Sequence, residues 1–302
     1  MSLMTEFRVV LHGGHFYEGP RRRDGRLWVS DFFGHQVVST DTAGDVRVEA
    51  KVPAQPSGLG WLPDGRLLIS CMLDQRILRR EPSGELVEHA HVRAQTGGNQ
   101  INDMVVDERG NAYVGSFGFD PFAGQPIAPA PLVYVAPDGS VAVVAGDLYM
   151  PNGMVILPGG VLVVGETLGH RLTAFDIRDD GSLANRREWA RFGPRPETTD
   201  VMEAIGALTV GPDGSAADAE GAIWVADAYH NRILRVKQGG KILREVSMGD
   251  IGGYALALGG PRGRTLYICS APDYQPDARS AAAEAKVLAL EVDVPGIAFA
   301  SQ

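Results

Sequence analysis

Glu18, Ser57, Asn102, Asn152 and Asp213 are oxygen-bearing side chains that recur at nearly the same place in a repeated pattern. The register is set by six anchors: Trp28, Leu68, Tyr113, Val163, Trp224 and Tyr267. Ser57, Asn102, Asn152 and Asp213 each lie 11 residues before their anchor, and Glu18 lies 10 before Trp28. Repeats stacked around a ring bring equivalent positions to a common axis. Such an axis would collect two carboxylates, two carboxamides and a hydroxyl. This is the donor set of a hard divalent cation, Ca²⁺ foremost, with Mg²⁺ or Mn²⁺ also suited and Zn²⁺ tolerated although it prefers His or Cys. Two carboxylates and one amide leave coordination positions open, as a catalytic centre requires.

The candidates differ in how far a purely structural role explains them. Glu is depleted in strands and follows the largely apolar His15-Phe16-Tyr17, so Glu18 calls for a partner. Pro212-Asp213-Gly214 resembles a turn, and the chain has two more such tripeptides, Pro63-Asp64-Gly65 and Pro137-Asp138-Gly139. Asp64, however, lies four residues before its anchor, in a hairpin, whereas Asp213 precedes its first strand. Pro151-Asn152-Gly153 and Pro56-Ser57-Gly58 share the Asp213 position, and Ser57 is read as filling only its structural requirement. His35 and His170 align with Gln75 and Asn231 at a hairpin turn and read as turn residues; His15 is a minor candidate ligand. There is no GxSxG elbow and no phosphate loop.

The elements that would position these groups are short strands rich in Val, Ile, Leu, Trp and Tyr, separated by turns rich in Gly, Pro, Asp and Asn. Anchor spacings of 40, 45, 50, 61 and 43 residues match the period of a four-stranded propeller blade. The expected fold is all-β: a six-bladed β-propeller of four-stranded antiparallel blades, one domain over residues 1–302, with Phe7–Leu11 joining the last blade to close the ring. Residues 1–3 read as a cloning remnant ahead of Met4. Pro121–Pro131 and Asn185–Val201 interrupt the period as loops that either cover the site or decorate the surface. Ala281–Ala285 has the composition of one helical turn.

Among the 302 residues, 44% are hydrophobic and the net charge is −9, which argues against nucleic acid and anionic membrane as partners. Arg21-Arg22-Arg23 is the one basic run and reads as a solvated hairpin. No membrane-length apolar run and no signal-peptide pattern occur, and the two cysteines, Cys71 and Cys269, read as buried free thiols. These features together give a cytoplasmic expectation.

At Glu18-Gly19-Pro20, Asn102-Asp103, Pro151-Asn152-Gly153, Pro212-Asp213-Gly214 and the following Gly221…Trp224-Val225-Ala226, the chain resembles the senescence-marker-protein/gluconolactonase/luciferin-regenerating-enzyme family over nearly its whole length. The resemblance implies a six-bladed propeller and a single divalent cation held by Glu18, Asn152 and Asp213. It places Asn102 against substrate or a cation-bound water and implies hydrolysis of a lactone. Sugar-lactone hydrolases of the family often have Arg two residues before that Asn; here Gln100 stands there, which points to a less polar substrate. Gln100 and Tyr149 are therefore expected substrate contacts, and Met104, Phe117 and Phe119 either join them or belong to the core. Asp213 and Asn102 are the expected catalytic pair, with Asp213 or a cation-delivered water as the source of the nucleophile. Two other functions remain open: a non-catalytic ligand- or protein-binding propeller with a structural cation, and a phosphotriesterase-like hydrolase on the same scaffold.

Overall fold

Alternating apolar residues on short, β-branched and aromatic-rich segments favour strands, and each pair of segments meets at a tight turn. The computed structural model, which describes residues 6–297, contains 24 strands and two short helices. After β1 (Arg8–Gly14), the first blade is β2 (Tyr17–Arg23), β3 (Arg26–Asp31), β4 (Gln36–Thr40) and β5 (Val46–Lys51). The second is β6 (Pro56–Trp61), β7 (Leu67–Cys71), β8 (Arg76–Arg80) and β9 (Leu86–His91). The third is β10 (Ile101–Val106), β11 (Ala112–Ser116), β12 (Ala130–Val135) and β13 (Val141–Leu148). The fourth is β14 (Pro151–Leu157), β15 (Val161–Glu166), β16 (Arg171–Ile177) and β17 (Leu183–Arg191), followed by α1 (Val201–Ala207). The fifth is β18 (Pro212–Ala217), β19 (Ile223–Asp227), β20 (Arg232–Val236) and β21 (Ile242–Ser247). The last contains β22 (Gly252–Gly259), β23 (Thr265–Ala271), the helix α2 (Pro276–Ala281) and β24 (Ala285–Glu291).

Each blade is a four-stranded antiparallel sheet, and β2, β6, β10, β14, β18 and β22 touch one another in turn around a central axis. This is a six-bladed β-propeller. The N-terminal β1 pairs with β24, Arg8 opposite Ala289 and Gly14 opposite Ala285, so the last blade takes its outer strand from the start of the chain. The expected closing strand is thus present, and it leaves no long unpaired edge at the seam. The core lies between blades. Leu68, Ile77, Ile101, Met104 and Val114, for example, form one fully buried cluster across the second and third. Burial of each such side chain contributes about 1.5–3 kcal/mol. No described helix is long and apolar enough to cross a membrane. Residues 1–3 lie outside the described residues.

Two sequence expectations need correction. The helical turn is not at Ala281–Ala285 but at Pro276–Ala281, where Pro276 sits in the first turn and Asp277 faces the helix N-terminus. Ala285 instead starts β24, fully buried opposite Gly14. The Arg21–Arg23 run is not solvated decoration. Arg21 pairs with Asp103, while Arg22 lies over the Tyr267 ring and Arg23 over the Trp61 ring. Cys71 and Cys269 are buried free thiols, as expected.

Candidate functional site

The second residue of each inner strand defines a ring of six positions: Glu18, Ser57, Asn102, Asn152, Asp213 and Gly253. In every blade the ladder slips directly after or across this residue, so a β-bulge sits at each ring position. The one-residue offset of Glu18 has a simple origin. Arg21 pairs with Trp28 as Gly60 pairs with Leu68, Val105 with Tyr113, Val155 with Val163 and Ala216 with Trp224. Glu18 is therefore in register, and the β2–β3 hairpin is one residue shorter than the others.

The glycine that follows four of these residues permits close approach of neighbouring blades. A Cβ on Gly19 would stand 2.4 Å from the Ser57 carbonyl oxygen, and one on Gly153 would stand 2.3 Å from that of Asp213. Real Cβ atoms do not come so near, so any side chain there would push the ring apart. Hydroxyls then tie blade to blade. Ser30 Oγ donates to the Ser57 carbonyl at 2.7 Å, Ser70 Oγ to the Asn102 carbonyl at 2.8 Å, and Thr167 Oγ1 to the Pro212 carbonyl at 2.6 Å.

Glu18, Asn102, Asn152 and Asp213 all line one cavity of about 300 Å³. Asn102, Asn152 and Asp213 are 7–8% exposed. Among the described residues only the Gly19 N–H donates to the Glu18 carboxylate, at 3.3 Å. Burial, then the charges of Asp213 and Asp103, raise the Glu18 pKa well above the carboxylate range, against the pull of the Gly19 N–H and Arg21. Burial and the Asp103 charge push Asp213 up to about 8, opposed by the Gly214 N–H and the Asn152 side chain. Asp103 is raised too, by burial, and Arg21 at 3.2 Å is the one cation that offsets it. Buried carboxylates that repel one another and share few donors and one nearby cation are under-compensated. A hard divalent cation would supply the missing charge, and Glu18, Asn152 and Asp213 are the side chains that could hold one. Among the described residues no group of three or more His, Cys, Asp or Glu forms a metal cluster. Here the candidate set is two carboxylates with a carboxamide.

Other expected residues fall differently. Gln100 and Phe117 line the cavity, whereas Met104 and Phe119 belong to buried clusters. Tyr149 is not among the lining residues; its ring stacks beneath Arg195 at 4.3 Å, and Met150 lines the cavity instead. Met150 lies two residues before Asn152, as Phe16, Gln55 and Gln100 lie two before Glu18, Ser57 and Asn102, and all four line the cavity. Ser57 Oγ is buried without a partner and Ser57 is not a lining residue, in keeping with a structural role. His15 Nδ1 is engaged with the Arg279 carbonyl at 2.9 Å. His35, Gln75, His170 and Asn231 all have positive φ between 46° and 58°, which explains the repeated polar turn position.

The loop over 121–131 does reach the site, because Phe122 lines the cavity. The second insertion begins as the long strand β17 and ends in α1. It packs on the first through Ala204, Leu208 and Phe119, and the Ile127 N–H donates to the Thr199 carbonyl. Sequence reasoning missed Arg21, Asp103 and most of the aromatic wall: Phe16, Phe32, Phe33, Tyr229, Tyr254 and Tyr274. The position of Arg21, three residues after Glu18 on an inner strand, was the available signal.

Residues 16–272 match the family model described as the SMP-30/gluconolactonase/LRE-like region. The chain belongs to this family. Among curated proteins it is 30% identical over 213 residues to the 6-deoxy-6-sulfogluconolactonase of Pseudomonas putida, a match spanning 66% of this chain and 64% of that protein. Two solved family structures share the fold. One is a luciferin-regenerating enzyme, with TM-score 0.78 and 20% identity over 98% of each chain. The other is a calcium-binding protein, regucalcin, from Agrobacterium tumefaciens, with TM-score 0.77 and 22% identity over 98% of this chain and 96% of that one.

Proposed function

We propose that this family member is a divalent-cation-dependent lactonase, with the cation, Ca²⁺ foremost, held by Glu18, Asn152 and Asp213. The observation that carries the reading is the convergence of these three side chains and Asn102, from four separate blades, on one cavity. The similarity to a sulfogluconolactonase supports the reaction class. A bound divalent cation supplies polarisation of the lactone carbonyl and counter-charge for the oxyanion.

The chain's own groups account for the remaining chemistry. Asn102 donates its carboxamide N–H to the carbonyl oxygen or to the attacking water. Asp213 accepts the proton of that water as its oxygen bonds to the acyl carbon. When the ring C–O bond breaks, the proton passes to the departing alkoxide and a hydroxy acid leaves. General-base assistance of this kind contributes about 10²–10⁴-fold. Buried, unpaired Cys71 and Cys269 support a reducing compartment such as the cytoplasm.

Hydrolysis of a panel of lactones, followed as acid release with Ca²⁺, Mg²⁺, Mn²⁺ or Zn²⁺ present, tests the proposal. Turnover that is abolished by Asp213→Ala supports it. A panel left intact with every cation, or an Asp213→Ala variant as active as the parent, refutes it.

A further inference from the structure

The cavity walls carry an inference about the substrate class, resting on the lactonase reading. Among the described residues, Glu18 and Asp213 are the only charged side chains that line the cavity, and no Lys, Arg or His lines it. Beyond the ring of donors, the polar wall groups are Gln55, Gln100, Thr167 and the hydroxyls of Tyr229, Tyr254 and Tyr274, and the remaining surface is aromatic and aliphatic. Phe16, Phe32 and Phe33 form edge-on contacts with centroids 4.5–6.2 Å apart, and Tyr274 packs edge-on against Tyr229 and Tyr254. A polyhydroxylated ring placed here would set hydroxyls against the faces of Phe16, Phe32, Phe33, Phe117 and Phe122, and an anionic substituent away from the cation would meet no cationic side chain. An uncharged ring with an alkyl or aryl substituent would bury its surface against complementary faces. We infer that the substrate is an uncharged, apolar-substituted lactone, not an aldonolactone or a sulfonated or phosphorylated sugar lactone.

Non-hydrolysable lactams separate this inference from the reaction itself. Calorimetric titration of the Ca²⁺-loaded protein with a phenyl-substituted δ-valerolactam and with gluconolactam should show the phenyl compound binding tighter by on the order of tenfold or more. Phe122→Ala, at an exposed loop position, should weaken the phenyl lactam several-fold and leave gluconolactam unchanged. Equal or tighter binding of gluconolactam overturns the inference, whatever the lactone panel shows. Failure to cleave any lactone while the phenyl preference holds overturns the lactonase reading and supports the cavity assignment.

An independent pattern concerns how the donors are held. The second strand of a blade ends in a buried carboxylate in three blades: Asp31 in β3, Glu166 in β15 and Asp227 in β19. These are the three blades that carry Glu18, Asn152 and Asp213. Cys71, Ser116 and Ala271 occupy the position in the other three. Each carboxylate accepts from a backbone N–H two or three residues ahead of the donor in its own blade. Asp31 binds the His15 and Phe16 N–H at 2.9 and 3.2 Å, Glu166 the Tyr149 N–H at 3.0 Å, and Asp227 the Gly211 N–H at 2.9 Å. Glu166 and Asp227 are anchored in turn by Arg171 and Arg232, and Asp31 by Gln36. The geometry assigns Asp31, Glu166 and Asp227 as positioning residues, each clamping the strand entrance that presents one cation ligand.

Ca²⁺ affinity, measured by calorimetry on folded protein, provides the test. Asp227→Asn and Glu166→Gln should weaken binding about 10–100-fold, as outer-shell changes at metal sites do. Ser116→Ala, in a blade without a cation ligand, should stay within about twofold of the parent on the same logic. Variants that melt lower but bind Ca²⁺ as the parent does would show a merely structural role and overturn the assignment. If Asp227→Asn does not fold, Asp31→Asn is read in its place. A parent protein that binds no divalent cation would remove the cation site itself, and the clamps with it.

Discussion

Replacing Asp213 by Asn should stabilise the metal-free protein at pH 8. Asp213 is pushed from an ordinary value of 3.8 to about 8 by burial and the charge of Asp103. The folded metal-free state therefore holds a proton that the unfolded chain releases. Stability from this source is fully present below about pH 4, is lost as pH rises towards 8, and is absent above it. At ~1.4 kcal/mol per pKa unit the ceiling is ~6 kcal/mol. Because Glu18 shares the burden and an effective protein dielectric near 20 applies, the expected gain is on the order of 2–3 kcal/mol. For a protein of this size that corresponds to about 4–6 °C in Tm. Thermal melts of metal-free parent and D213N across pH 4.5–8.5 provide the assay. The two curves should coincide near the acidic limit and diverge as pH rises, with the variant melting higher. Ca²⁺ at about 1,000 times Kd should reverse the order, since ~4.1 kcal/mol then accrues to the parent and little to the variant. A variant that melts lower by the same amount at every pH would refute the account of Asp213 as an under-compensated buried acid.

Two further changes address the neighbours. Asn102→Ala should lower kcat for a cleaved lactone by about 10–10³-fold, as loss of an oriented donor does; Ca²⁺ affinity by calorimetry should change little, and a large loss would make Asn102 a ligand. Arg21→Met removes the one cation beside Asp103. It should destabilise the metal-free protein by about 3–5 kcal/mol, read by denaturant titration, and a cost below about 1 kcal/mol, typical of an exposed pair, would contradict a buried pairing role.

The architecture could be read from the chain because the repeat is written twice, once in the six apolar anchors and once in the polar residue ahead of five of them. Trp224 and Val163 mark the strands, and Asp213 and Asn152 mark the ring. Glu18 looked displaced only because the deficit in its short hairpin lies after it, where spacing to Trp28 cannot separate a shorter turn from a shifted strand. Tyr149 failed as a contact for a local reason: in four blades the residue two before the ring position lines the cavity, and Tyr149 is three before Asn152. Arg21 was hidden by its company, since three successive arginines read as a solvated run although alternate residues of a strand face opposite ways. Tyr229, Tyr254 and Tyr274 lie outside the repeated polar position, and their meeting depends on ring closure, which spacing along one strand does not display.

The proposed function stands or falls on one divalent cation lodging among Glu18, Asn152 and Asp213. Ca²⁺ titration calorimetry of the metal-free parent alongside Glu18→Gln, Asn152→Ala and Asp213→Asn tests it most directly. One site per chain is expected in the parent, with affinity reduced by at least about 10²-fold in each carboxylate variant because a charged oxygen ligand is lost. Undiminished binding in all three variants would contradict it.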